Sequence, residues 1–166
     1  MKNGFTLIEL LVVVALVAII GSVTTQVFIL GFKAQAKVEA MKELKQSGDY
    51  TISVIESMVR NASDIEFQCN TSANSLTIIS QDGLTTNFLW EGSRISSISG
   101  QSQPLTSSKV SVGSCSFRVV CPTPPLSPKY VFVNFTLNQA MPGITPGPGN
   151  NATLDYQTTI SLRTYQ

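Results

Sequence analysis

Few side chains in this chain could do chemistry, and their types narrow the options. There is no histidine, which removes Ser-His-Asp and Cys-His catalysis and every His-ligated metal site. Three cysteines, Cys69, Cys115 and Cys121, form no CxxC pair and make a poor zinc set on their own. The chemistry left to them is disulfide formation, which a compartment outside the cytoplasm permits. Three thiols allow one bridge, contributing about 2–4 kcal/mol, and leave one over. Cys115 and Cys121 share a strand parity but would lie about 20 Å apart on one straight strand at ~3.3 Å per residue. Joining them needs a bend, and Cys69 with either is equally possible. Asp64 and Glu66 flank Ile65 as the solvated face of a short strand. No acids paired at helical spacing, no phosphate loop and no nucleophile beside a base occur, so the reading is a non-enzyme without cofactor or metal.

The last candidate is Glu9, which stands at the mouth of a long apolar run. From Leu10 to Phe32 no residue is charged, and about 20 such residues suffice for a helix to cross a hydrocarbon core. The half from Leu10 to Ile20 is the most apolar; Gly21, Ser22, Thr24, Thr25 and Gln26 then soften it before Val27–Leu30. A lone carboxylate here costs on the order of 2–3 kcal/mol to insert near the bilayer core, and less at the interface. Nothing else in the segment offers it a partner. Glu9 therefore either stays near the headgroups at the first helical turn, where negative charge is favoured, or meets its partner on another molecule. A cleaved secretory signal would share Lys2 and the apolar run. This run is longer than such signals use, and the helical pattern continues past it, so the segment is read as retained.

The stretch Lys2-Asn3-Gly4-Phe5-Thr6-Leu7-Ile8-Glu9-Leu10-Leu11-Val12 resembles the class III leader of type IV prepilins and type II secretion pseudopilins. That leader is short and basic, ends in Gly, and is followed by Phe, by Thr-Leu-Ile-Glu and by a long apolar run. The resemblance implies cleavage between Gly4 and Phe5 by a prepilin peptidase and N-methylation of Phe5. It also implies that Glu9 pairs with the Phe5 amine of a neighbouring subunit during assembly. The partners it implies are other pilin or pseudopilin subunits, the peptidase and an inner-membrane assembly platform. The location it implies is a single-pass membrane protein with a cytoplasmic N-terminus and an extracytoplasmic head, in a filament or at the cell surface after assembly. Lys33, Lys37, Lys42 and Lys45 depart from this, because a positive-inside count over them favours the opposite orientation. Met58–Ala62 and Pro104–Ser108 loosely resemble minor pilins and pseudopilins of the kind that prime assembly. A second reading keeps the leader for delivery only and makes the head a binding or DNA-uptake module; its low charge counts against nucleic acid. The sequence leaves open whether a filament would be a pilus, a secretion pseudopilus or a competence apparatus.

These residues must be positioned by a chain of 166 residues, enough for one domain. Charged residues are 13% of it, the net charge is +1 and the mean hydropathy is +0.19. The charges crowd into residues 33–66; before them stand only Lys2 and Glu9, and after them the chain is polar but nearly neutral. Three charge regimes imply a leader at 1–4, a transmembrane assembly helix at 5–32, an amphipathic helix at 33–62 and a β-rich head at 63–166. On the second helix Val38, Met41, Gly48, Ile52, Ile55, Val59 and Ala62 fall on one stripe, interrupted by Lys45. Gly48 costs roughly 1 kcal/mol against Ala in a helix, so it marks either a kink or a close approach of the sheet. Beyond Ala62 the apolar period becomes two. Ser75–Gln81, Thr85–Trp90, Arg94–Ser99, Lys109–Val120, Tyr130–Asn138 and Thr153–Tyr165 read as strands. Asp82-Gly83 marks a hairpin turn, and a parity slip between Val112 and Cys115 predicts a bulge near Gly113. The expected fold is α+β, with one antiparallel sheet packed on the long helix. Every proline but Pro104 falls in Cys121–Pro128 or Pro142–Pro148, read as surface loops. Four Asn-x-Ser/Thr sequons, at Asn61, Asn70, Asn134 and Asn151, are expected by chance in so Asn-, Ser- and Thr-rich a chain.

Overall fold

The computed structural model describes residues 6–66, 68–122, 128–140 and 152–163. One helix, α1, runs Leu7–Asn61, so the apolar and amphipathic halves are continuous, as the expected long helix requires. Nine strands follow: β1 Asp64–Glu66, β2 Ser72–Ala73, β3 Ser75–Ile79, β4 Thr85–Trp90, β5 Ile95–Ser99, β6 Gln101–Pro104, β7 Val110–Val120, β8 Tyr130–Gln139 and β9 Thr153–Ser161. They form two antiparallel sheets rather than one, a five-stranded sheet in the order β1-β3-β4-β5-β6 and a four-stranded sheet in the order β2-β7-β8-β9. The fold class is α+β. The chain falls into two compact units, Met1–Glu39 and Ala40–Gln166. The proline-rich stretches and the last residues of the expected Thr153–Tyr165 strand lie mostly outside the described residues.

In the second unit the buried residues of α1 are Ala40, Leu44, Ser47, Gly48, Thr51, Ile55 and Val59. Gly48, Ile55, Val59 and Ala62 of the expected stripe are buried. Its other members are not, since Val38 is 69% exposed, Met41 and Ile52 are only half-buried, and Lys45, its expected interruption, stays in solvent. The two hydroxyls on the buried line dock a loop. Thr51 Oγ1 donates to its own helix at Ser47 O (2.8 Å) and lies 3.2 Å from Leu105 O, while Ser107 N donates to Ser47 Oγ at 3.1 Å. Polar residues sit on the buried face because the backbone just after β6 needs partners there. The core is completed by Leu76, Ile78, Phe88 and Ile95 of one sheet and by Phe117, Val133, Phe135 and Ile160 of the other.

Gly48 marks a close approach. A Cβ added there would come within 2.6 Å of Tyr156 Oη and closer still to Cε2 and Cζ. The Tyr156 ring stacks on Phe135 at 5.1 Å, and its hydroxyl contacts Lys45 O at 3.1 Å and Asp49 Oδ1 at 3.2 Å. Burial, reinforced by the Asp49 carboxylate, pushes this phenol up to about 12. The expected bulge is present as a register shift between Val112 and Ser114 in the β7–β8 ladder, and Gly83 takes φ 81° in the β3–β4 turn. The short β1, expected as a solvated strand, is tied to the start of β8 through Asp64 Oδ1–Lys129 Nζ at 2.6 Å. That hydrogen bond holds the Asp64 carboxyl below its usual range.

Of the three possible pairings, the bridge is Cys69–Cys121, with Cα atoms 5.6 Å apart, inside the range a disulfide spans. It ties the chain between β1 and β2 to the end of β7, beside the Asn70 N–Val119 O bond of 2.7 Å. Its sequence separation of 52 residues corresponds to about 4 kcal/mol in the chain-entropy treatment. Cys115 is free and buried, and burial pushes its thiol up to about 12.

Two outcomes are expected. Alkylation of native protein without reductant should label none of the three cysteines, unfolding without reductant should release one, and unfolding with reductant all three; labelling of all three without reductant would exclude the bridge. Gly48→Ala should destabilise the head by roughly 1–2 kcal/mol, because overpacking against Tyr156 outweighs the helix-propensity gain. The cost should shrink in the Tyr156→Ala background, as read by denaturant unfolding of detergent-solubilised protein.

Candidate functional site

Of the residues singled out at the N-terminus, Gly4 and Phe5 lie outside the described residues, and Glu9 lies within them. Thr6 immediately precedes the first helical residue, and its carbonyl accepts from Leu10 N at 3.3 Å. Its hydroxyl accepts from Glu9 N at 3.4 Å. In return, Glu9 Oε2 accepts from Thr6 N at 3.1 Å and from Thr6 Oγ1 at 3.0 Å. This is a capping box, a reciprocal closure of orphan donors at a helix start. Glu9 therefore has a partner in its own segment, contrary to the reading of the sequence. The missed residue is Thr6. The signal was legible, because Thr6-Leu7-Ile8-Glu9 is the Thr-x-x-Glu pattern that precedes an apolar helix.

The cap uses one carboxylate oxygen. Among the described residues, Glu9 Oε1 accepts no hydrogen bond. Glu9 is thus held in a fixed orientation at the helix N-terminus, with half of its accepting capacity open. A cationic amine arriving from another chain would find a fixed acceptor there.

Beyond Glu9 the helix is apolar and outward-facing. Leu10, Leu11, Leu16, Ile19 and Ile20 are all more than half exposed. Among the described residues, α1 is the one helix long and apolar enough to cross a membrane. Its hydroxyls spend their hydrogen bonds internally: Ser22 Oγ on Ile19 O (2.8 Å), Thr24 Oγ1 on Ile20 O (2.8 Å) and Thr25 Oγ1 on Gly21 O (2.8 Å). Back-bonding of this kind makes hydroxyls tolerable in hydrocarbon, because no donor is left unpaired. Farther along, Val23, Val27, Phe28, Gly31 and Phe32 line a shallow apolar hollow on the helix surface.

The three cysteines belong to the head and are accounted for by its bridge and core. Among the described residues no group of three or more Cys, Asp or Glu could hold a metal ion.

A family model described as the prokaryotic N-terminal methylation motif matches residues 1–25, which include the Thr6–Glu9 cap and the first half of the apolar helix. No curated protein and no solved structure matches the chain. The motif implies processing by a prepilin peptidase and assembly with other pilins. The capped start of the apolar helix thus lies within a prepilin-type methylation motif, consistent with the type IV pilin and pseudopilin family.

Proposed function

We propose that this chain is a structural subunit, not an enzyme, of a type IV pilus or pseudopilus-like extracytoplasmic filament. In this reading it is cleaved between Gly4 and Phe5, methylated at Phe5 and assembled through its N-terminal helix on an inner-membrane platform. The observation that carries the proposal is the Thr6–Glu9 cap at the mouth of an apolar helix, with Glu9 Oε2 engaged and Oε1 open. Cleavage before Phe5 creates an amine one residue from the cap. Each subunit then brings one cation at Phe5 and one oriented anion at Glu9. Oε1 of one subunit accepts from the Phe5 amine of the next, which neutralises both charges and sets the axial stagger. Desolvation offsets much of the Coulomb attraction, so the pair governs register and order of addition more than raw affinity. The apolar hollow from Val23 to Phe32 supports the same reading, since small residues beside large ones let helices approach closely.

Two measurements test this. Mass spectrometry of the mature protein should find an N-methylated Phe5 at the N-terminus; an intact Met1 beside an active peptidase would overturn the processing step. Sheared filament and membrane fractions should then be compared across variants. Glu9→Leu should insert and fold normally while incorporation falls roughly tenfold or more, the scale of leaving a charge unpaired. Thr6→Ala should lose a cap worth about 1 kcal/mol and fall several-fold, with Thr6→Ser close to wild type. Equal incorporation of wild type and Glu9→Leu would leave Glu9 as a capping residue with no part in assembly.

A further inference from the structure

The four sheet edges of the head are unequal. β1 has three residues, β2 has two, and β6 has four and ends in Pro104. Short strands and proline are common ways of blunting an edge against pairing. β9 has nine residues, Thr153–Ser161, with no proline, no lysine and no arginine. Its register with β8 is unbroken from Tyr130↔Ser161 to Asn138↔Thr153, so no bulge twists the edge away.

The ladder fixes which backbone groups face outward. Leu162 N donates to Lys129 O at 3.0 Å, and Gln139 N donates to Ala152 O at 3.2 Å. Counting in steps of two from either end, Leu154, Tyr156, Thr158 and Ile160 turn their N–H and C=O toward β8. Thr153, Asp155, Gln157, Thr159 and Ser161 turn theirs away from it, and their side chains are exposed as well. Among the described residues none of these five backbone N–H groups has an acceptor. An edge with this geometry takes an extended strand.

The strand that fits best is its own two-fold image. We propose that β9 is a docking surface for a second copy of this chain, by antiparallel pairing of the two β9 edges about Gln157. In that register outward residues meet outward residues: Thr153 faces Ser161, Asp155 faces Thr159, and Gln157 faces itself. About ten N–H···O bonds form, two per facing pair. On the other face Leu154 meets Ile160 and Tyr156 meets Thr158. Asp155, the only charge in the strand, already accepts from Thr136 Oγ1 at 2.7 Å. In this register the two Asp155 carboxylates stand four residues apart along the edge, about 13 Å at ~3.3 Å per residue, farther than the ~8 Å screening length. Sliding the pair until Asp155 faces Asp155 shortens the ladder and sets like charges opposite one another.

The two-fold axis stands normal to the sheet, so the paired heads run in opposite directions. Subunits added to a filament with a common stagger all run the same way. On the filament reading, which this last step rests on, the β9 pair joins two filaments or two cells and not neighbours within one filament.

The test uses the full chain dispersed in detergent, where it does not depend on filament assembly. Sedimentation velocity should show a monomer–dimer equilibrium. Thr159→Asp places two acid pairs across the interface and should weaken the dimer roughly 2- to 30-fold; Thr159→Lys should strengthen it by a similar factor. Oxidation should cross-link Gln157→Cys, whose Cα atoms would lie about 5.5 Å apart, within disulfide reach. Thr153→Cys should not cross-link to itself. Retention of the Cys69–Cys121 bridge and protection of Cys115 establish that each variant is folded. Glu9→Leu should dimerise like wild type even if it fails to enter filaments. A monomer at every concentration, an oligomer indifferent to both Thr159 variants, or cross-linking at Thr153→Cys in place of Gln157→Cys would each overturn the proposal.

Discussion

Every polar group on α1 has to find a partner, and the partner available changes along the helix. At its start the first N–H groups have no acceptor within the helix, so Thr6 and Glu9 close orphan donors on each other. In the apolar stretch Ser22, Thr24 and Thr25 use the carbonyls of the helix itself. In the second unit the same kind of hydroxyl reaches outward. Ser47 and Thr51 hold the backbone of Leu105 and Ser107, and Glu43 pairs with Lys109 Nζ at 2.9 Å. One requirement, that polar groups find hydrogen-bond partners, thus shapes the cap, the apolar segment and the contact of α1 with the loop after β6.

The head is closed by three ties that reach across the sequence. Tyr156 lies over Gly48 and stacks on Phe135, joining the last strand to the helix. The Cys69–Cys121 bridge joins the region just after the helix to the end of β7. The Asp64–Lys129 pair joins β1 to the approach to β8. The surface ion pair contributes least, since exposed pairs are screened. The packed glycine and the bridge carry more, because each acts where water is excluded or where it constrains the unfolded chain.

The parts of this structure legible in the sequence are those with a local cause. The apolar run, the period-two strands, the Asp82-Gly83 turn and the Gly113 bulge all follow from side-chain spacing alone. The division into two sheets does not, because hairpin order leaves open where one sheet ends and another begins. β2 and β6 carry no sequence signal, because runs of two and four residues are too short for a period. Of the expected stripe, Gly48, Ile55, Val59 and Ala62 are buried, but apolarity alone does not find Ser47 and Thr51, which are buried for their hydrogen bonds. Thr6 is likewise found by its hydroxyl, three residues before Glu9, and not by the charge or apolarity around it. At Gly48 the choice between a kink and a close approach is decided only by a residue more than a hundred positions away, Tyr156.

The back-bonded hydroxyls of Ser22, Thr24 and Thr25 have a consequence for how this helix changes surroundings. Their hydrogen bonds are made within their own turn, so none depends on a lipid headgroup, a water or a neighbouring helix. On the proposed filament reading, passage from bilayer to protein bundle would exchange one apolar coat for another with none of these three bonds broken. These three hydroxyls are thus chemically indifferent to what surrounds the helix. The groups a change of surroundings would act on are the Gln26 amide, which has no such bond among the described residues, and the open oxygen of Glu9.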